Sequence, residues 1–135
     1  MVNKMNMELK QTITPVLRIL DVAKAKEFYI DWLGFTIDWE HRFGDTSPLY
    51  MQVSKDNILF HLTEHHGDCC PGAKVYIRFA GGLTAYHTLL HEKDYRFNKP
   101  SLETAPWNAL IMEVVDPFGN KIIFAEDLKT TADGQ

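Results

Sequence analysis

Ala105-Pro106-Trp107, the strand-like run 108–115, then Asp116-Pro117-Phe118-Gly119-Asn120 and Lys121-Ile122-Ile123-Phe124-Ala125-Glu126 read as a β-hairpin. Pro117 fixes φ at the start of a turn, Gly119 can take φ > 0, and the flanking Ile, Val and Phe suit paired strands. Upstream, residues 74–80 read as a strand, and Gly81-Gly82 leads into a helix with Leu83, Tyr86, Leu89 and Leu90 on one side. Residues 95–98 give a weaker strand signal before a proline-bearing loop. The order of this half is βαβββ.

The first half has the same order. Residues 13–20 are a strand candidate, and Asp21 can N-cap a helix marked by Val22, Ala25, Phe28, Tyr29, Trp32 and Leu33, which Gly34 stops. Residues 36–42, 49–54 and 58–63 alternate as three strands, divided by the turn-rich 44–48 and by Lys55-Asp56-Asn57. The helices begin near Val22 and Leu83, and Asn57 and Gly119 hold equivalent turns, so the repeat is architectural although few residues are shared. Period two puts Ile58, Phe60 and Leu62 on the face expected under the helix. Leu59, His61 and Thr63 then take the opposite, concave face, where a ligand cavity can form.

A chain of 135 residues suits one domain with a real core. Its expected span is 11–128 (module one about 11–63, module two about 74–128), between a flexible segment 1–10 and a tail 129–135. With 45% hydrophobic and 24% charged residues, the composition is that of an ordinary globule and argues against disorder or a membrane span. A net charge of -4 with no Lys/Arg run argues against a nucleic-acid partner and, mildly, for a cationic ligand. Residues 1–10 lack the apolar run of a secretory signal, so the expected compartment is the cytoplasm. Cys69 and Cys70 are adjacent, a poor geometry for a disulfide, and read as free thiols.

Four groups of residues, in order and spacing over residues 13–127, carry a resemblance. They are Thr14-Pro15-Val16-Leu17-Arg18-Ile19-Leu20-Asp21-Val22, Glu27-Phe28-Tyr29 with Leu33-Gly34-Phe35, Pro106-Trp107, and Asp116-Pro117-Phe118-Gly119-Asn120. Together they resemble the vicinal oxygen chelate superfamily of glyoxalase I, extradiol dioxygenases and bleomycin resistance proteins, and look closest to the resistance branch. The resemblance implies an α+β fold of two βαβββ modules forming a curved mixed sheet with a concave ligand cleft. It also implies four metal-ligand positions, from the first and last strand of each module, which fall near Thr14, at His61, near Val75 and at Ile123. The last lies four residues after Gly119, where the metalloenzymes carry Glu. His61 alone offers a donor, and firm retention of Zn²⁺, Ni²⁺ or Fe²⁺ needs at least three. The expectation is therefore no metal, no other cofactor and no catalytic residue. That leans away from an enzyme and towards the resistance proteins, which bind a drug in dimer-interface clefts without changing it.

Such a cleft needs flat apolar surfaces and a few polar groups to orient the ligand. Trp39, where the resistance branch often has an aromatic residue, Phe43 just after it, and Trp107 after Pro106 are the main candidates, with core packing as their competing role. Trp32, spaced helically with Phe28 and Tyr29, reads as packing on the sheet. His61 qualifies by its concave parity. Glu113 reads either as an edge residue exposed to water or as a buried acid that pairs with a cationic ligand. Arg18 shares parity with Thr14 and Val16 and can reach the cleft or pair with an acid nearby. The expected function is a non-catalytic homodimer that sequesters bleomycin-type or other planar aromatic compounds. Its rival is a metal-dependent lyase, isomerase or thiol transferase with displaced ligands around His61, Glu64 and His65. The run from His61 to Cys70 crowds metal-ligand side chains but fits none of the usual zinc spacings, and reads first as a polar inter-module loop.

Overall fold

The structure, a computed structural model, describes residues 10–128. The expected flexible segment, except for Lys10, and the expected tail lie outside the described residues. Module one comprises β1 (Val16–Arg18), a helix α1 (Val22–Lys26) continued by a π-helix (Glu27–Trp32), β2 (Thr36–His41), β3 (Tyr50–Lys55) and β4 (Ile58–Thr63). Asp21 caps α1 as its spacing predicts, its carboxylate accepting from the Lys24 amide at 2.9 Å. The π-helical turn closes with Leu33 N–H donating to the Phe28 carbonyl, and Phe28, Tyr29, Trp32 and Leu33 all reach the core. Gly34 ends the helix with φ of 86°.

Module two repeats the order with β5 (Lys74–Arg78), α2 (Leu83–Glu92), β6 (Glu103–Ala105), β7 (Ala109–Val115) and β8 (Lys121–Asp127). The strands form two four-stranded sheets with matching orders, β1-β4-β3-β2 and β5-β8-β7-β6. In each, the first strand pairs parallel to the last and the remaining pairs are antiparallel. The second strand of module two is not at residues 95–98 but at Glu103–Ala105. Asn98 spends its side chain on both backbone groups of Val115, and Pro100 has no N–H to offer a ladder, so this stretch joins the sheet through one side chain only.

The turn at Asp116 to Asn120 fastens the modules together. Asp116 Oδ1 accepts from the Phe118 and Asn120 amides, Gly119 takes φ of 90°, and Asp116 Oδ2 accepts from the Tyr29 hydroxyl of module one at 2.7 Å. Asn120, fully buried, accepts from the Gly72 and Ala73 amides and donates to the Arg18 carbonyl. Trp32 Nε1 donates to the Leu90 carbonyl and Tyr86 to the Leu33 carbonyl, which joins the two helices. One hydrophobic cluster runs through both halves, including Leu17, Phe28 and Phe60 from the first and Leu83, Ile122 and Phe124 from the second. Each such side chain contributes about 1.5–3 kcal/mol by leaving water. Among the described residues no helix is long and apolar enough to cross a membrane.

Candidate functional site

In β4, Phe60 and Leu62 are buried under the helix while His61 faces the other way, half-buried, as the alternation predicts. His61 lies opposite Gln52 on β3 and Val16 on β1, so these three share the open face of the first sheet. Plain alternation would turn Trp39 inward with Ile37. The pairing of β2 with β3 shifts between Ile37 and Trp39, leaving Asp38 as an extra residue, and this bulge returns Trp39 to the open face opposite Gln52. Trp39 then stacks on Tyr50, with centroids 6.0 Å apart and planes 7° from parallel, and the His61 ring meets both edge-on. The indole stays 42% exposed, so one broad aromatic surface is presented to solvent.

A hydrogen-bond chain fixes the polar part of that surface. Gln52 Oε1 can only accept, so His61 Nε2 donates to it at 2.9 Å, and Nδ1 accepts from the Tyr50 hydroxyl at 2.8 Å. Gln52 Nε2 and Ser54 Oγ in turn donate to the Asp38 carboxylate. Burial, followed by the charges of Asp68 and Cys69, pushes the Tyr50 phenol up, which keeps it a proton donor. Both His61 nitrogens are thus occupied. The inter-module loop folds against the same face: Thr63 Oγ1 donates to Asp68, and Cys69 Sγ lies 3.5 Å from the Val16 carbonyl. Burial and then Asp68 raise the Cys69 thiol, with Arg18 acting in the opposite sense, so it is not an activated nucleophile.

In module two, Ile123 lies opposite Tyr76 on β5 and Glu113 on β7, which places these three on the open face of the second sheet. Tyr76 is 50% and Trp107 62% exposed, and Trp107 Nε1 donates to the Tyr76 hydroxyl at 3.2 Å. Each sheet therefore carries an exposed tryptophan against a tyrosine. Among the described residues no ring of one pair lies against a ring of the other. Cavities of about 340, 310 and 290 Å³ occur elsewhere in the chain, and none is lined by Trp39, His61, Trp107 or Glu113.

A family model described as glyoxalase superfamily protein matches residues 3–131. The chain belongs to the glyoxalase superfamily. No curated protein sequence matches it. Solved structures share this superfamily fold at low identity. A bleomycin-binding protein complexed with bleomycin matches at 18% identity and a TM-score of 0.66, over 88% of this chain and all of that one. The bleomycin resistance determinant encoded on the transposon Tn5 matches at 17% and 0.69, over 89% of this chain and all of that one. A glyoxalase-related enzyme from Clostridium phytofermentans matches at 19% and 0.68, over 89% of this chain and 97% of that one.

Within this superfamily fold the residues singled out from the sequence divide between the sheets. Trp39 and His61 touch; Phe43 lies beyond them, 81% exposed, edge-on to His41 and His65. Arg18 shares the open face of β1 with Val16, its Nε donating to the Ile19 carbonyl at 3.3 Å. Trp107, in the turn between β6 and β7, and Glu113, on β7, lie with the second sheet. Glu113 is exposed, and β8 alone pairs with it, because the β6 ladder on the other side of β7 ends at Ile111. The expected ligand position at Val75 is corrected by one residue, because Val75 packs towards the core beside Ile122 and Tyr76 takes the open face beside Ile123. The displaced metal set is not assembled either: Glu64 Oε1 accepts from the Leu49 amide, and among the described residues no three His, Cys, Asp or Glu side chains group to hold an ion. Sequence reading missed Tyr50, Gln52, Asp38 and Tyr76. Alternation along β3 marks the first two once His61 is placed, whereas Asp38 depends on the bulge.

Proposed function

We propose that this glyoxalase-superfamily chain binds a planar aromatic small molecule of bleomycin type without transforming it, in clefts formed between two copies. The observation that carries this reading is the pair of aromatic surfaces, Trp39 on Tyr50 and Trp107 against Tyr76, left open to solvent on two separate sheets. A flat ligand needs two such walls to lose most of its contact with water. A second copy can set the Trp107 wall against the Trp39 wall, which buries both together with the exposed Val16 and Val115. Tyr50 and Gln52, held in place by His61, supply directional polar contacts at the floor, and Glu113 supplies negative charge for a cationic group. The positions that would host a catalytic metal carry Thr14, Tyr76 and Ile123, and His61 has no free nitrogen.

Tryptophan fluorescence read during titration with metal-free bleomycin tests this reading, with mass analysis of the ligand afterwards. The expected outcome is saturable quenching, at least ~10-fold weaker binding in Trp39→Ala and in Trp107→Ala, and a ligand of unchanged mass. Conversion of the ligand, or equal affinity in both variants, would overturn it.

A further inference from the structure

We propose that His87 and His91, with the carbonyl oxygen of Pro100, form a binding site for a divalent transition cation, apart from the aromatic faces. The two histidines stand four residues apart on α2 and so share one helical face. Their rings lie 4.4 Å apart between centroids, and the Nε2 atoms reach the same Pro100 oxygen at 2.9 and 2.7 Å. Two imidazole nitrogens thus gather around one carbonyl oxygen, itself a third donor and held by a buried residue.

The donor set of two imidazoles and a carbonyl suits Zn²⁺, Ni²⁺ and Cu²⁺. Ligands about 2.1 Å from such an ion stand about 3.0 Å apart at neighbouring corners of an octahedron, close to both N–O separations seen here. The rings need only turn so that each Nε2 lone pair meets the ion rather than giving its proton to the oxygen, and waters complete the shell. The His61 to Cys70 run is the competing site in this chain. There both His61 nitrogens are bonded, Asp68 is held by Thr63 and Glu64 by the Leu49 amide. The loop that carries Pro100 also carries Tyr95, Phe97 and Asn98, which line the 340 Å³ cavity with Lys24 and Glu27. A cation at Pro100 therefore fastens one wall of that cavity to α2.

Paramagnetic Cu²⁺ titrated into ¹⁵N-labelled protein at about pH 7.5 tests the site. Amide signals near His87, His91 and Pro100 are expected to broaden first. His87→Ala and His91→Ala, each with an otherwise native spectrum, are expected to weaken binding at least ~10-fold, since each removes one of three donors. Cys69→Ser with Cys70→Ser is expected to leave it unchanged. Broadening that begins at residues 61–70, or unchanged affinity in His91→Ala, would overturn the proposal.

Discussion

With Tyr50 donating to Nδ1 and Gln52 accepting from Nε2, a divalent ion can reach His61 only by displacing one of them. Residue type alone marked His61 as a surviving ligand. Its bonding state was not legible, because it depends on which side chains β3 places opposite. Asp116 was legible only as a turn former, and its second role, receiving the Tyr29 hydroxyl, follows from packing across 87 residues of sequence. Tyr29→Phe removes that donor from a buried carboxylate and is expected to lower stability by about 1.5–3 kcal/mol in urea denaturation. Burial and the neighbouring Asp116 push the Tyr29 phenol well up, and burial pushes Tyr86 up. A raised folded-state pKa means that this stabilisation is complete below the unfolded tyrosine value near 10 and is lost as pH rises above it. Two of the five tyrosines are therefore expected to ionise only as the chain unfolds, in an ultraviolet titration compared with circular dichroism.

Strands and helices whose ends carry local signals could be read directly: Asp21 and Gly34 bracket the first helix, and Ile58 to Thr63 alternates cleanly. Errors arose where one element depends on another. The β2 bulge cannot be read from Trp39 itself, since it is defined by pairing with β3, yet it decides which face the indole takes. Val75 and Tyr76 differ by one residue, and only the ladder to β8 assigns them to opposite faces. That register has a direct test. Val75→Ala removes methyl groups packed against the core and is expected to cost about 1 kcal/mol, whereas Tyr76→Ala is expected to change stability by less than about 0.5 kcal/mol. Tyr76→Ala should instead weaken ligand binding, because it removes the ring bonded to Trp107. The reverse pattern in thermal melts would mean that β5 is out of register by one residue.

At the scale of the molecule, the two sheets are joined through their helices and the Asp116 to Asn120 turn, while the aromatic faces remain apart. The duplicated topology was legible because both halves repeat the same order of periodicities. The proposed cleft was not, since the two aromatic faces it would bring together lie on different sheets. Pairing two chains is the economical way to cover both faces, so light scattering during size-exclusion chromatography is expected to give the mass of a dimer. The most direct measurement is a calorimetric titration of metal-free bleomycin into protein stripped of metal by a chelator. Saturation is expected at about one drug molecule per chain, from two equivalent clefts in a symmetric dimer. A dimer that gives no binding heat at several temperatures, or binds only after a divalent metal is restored to the protein, would contradict it.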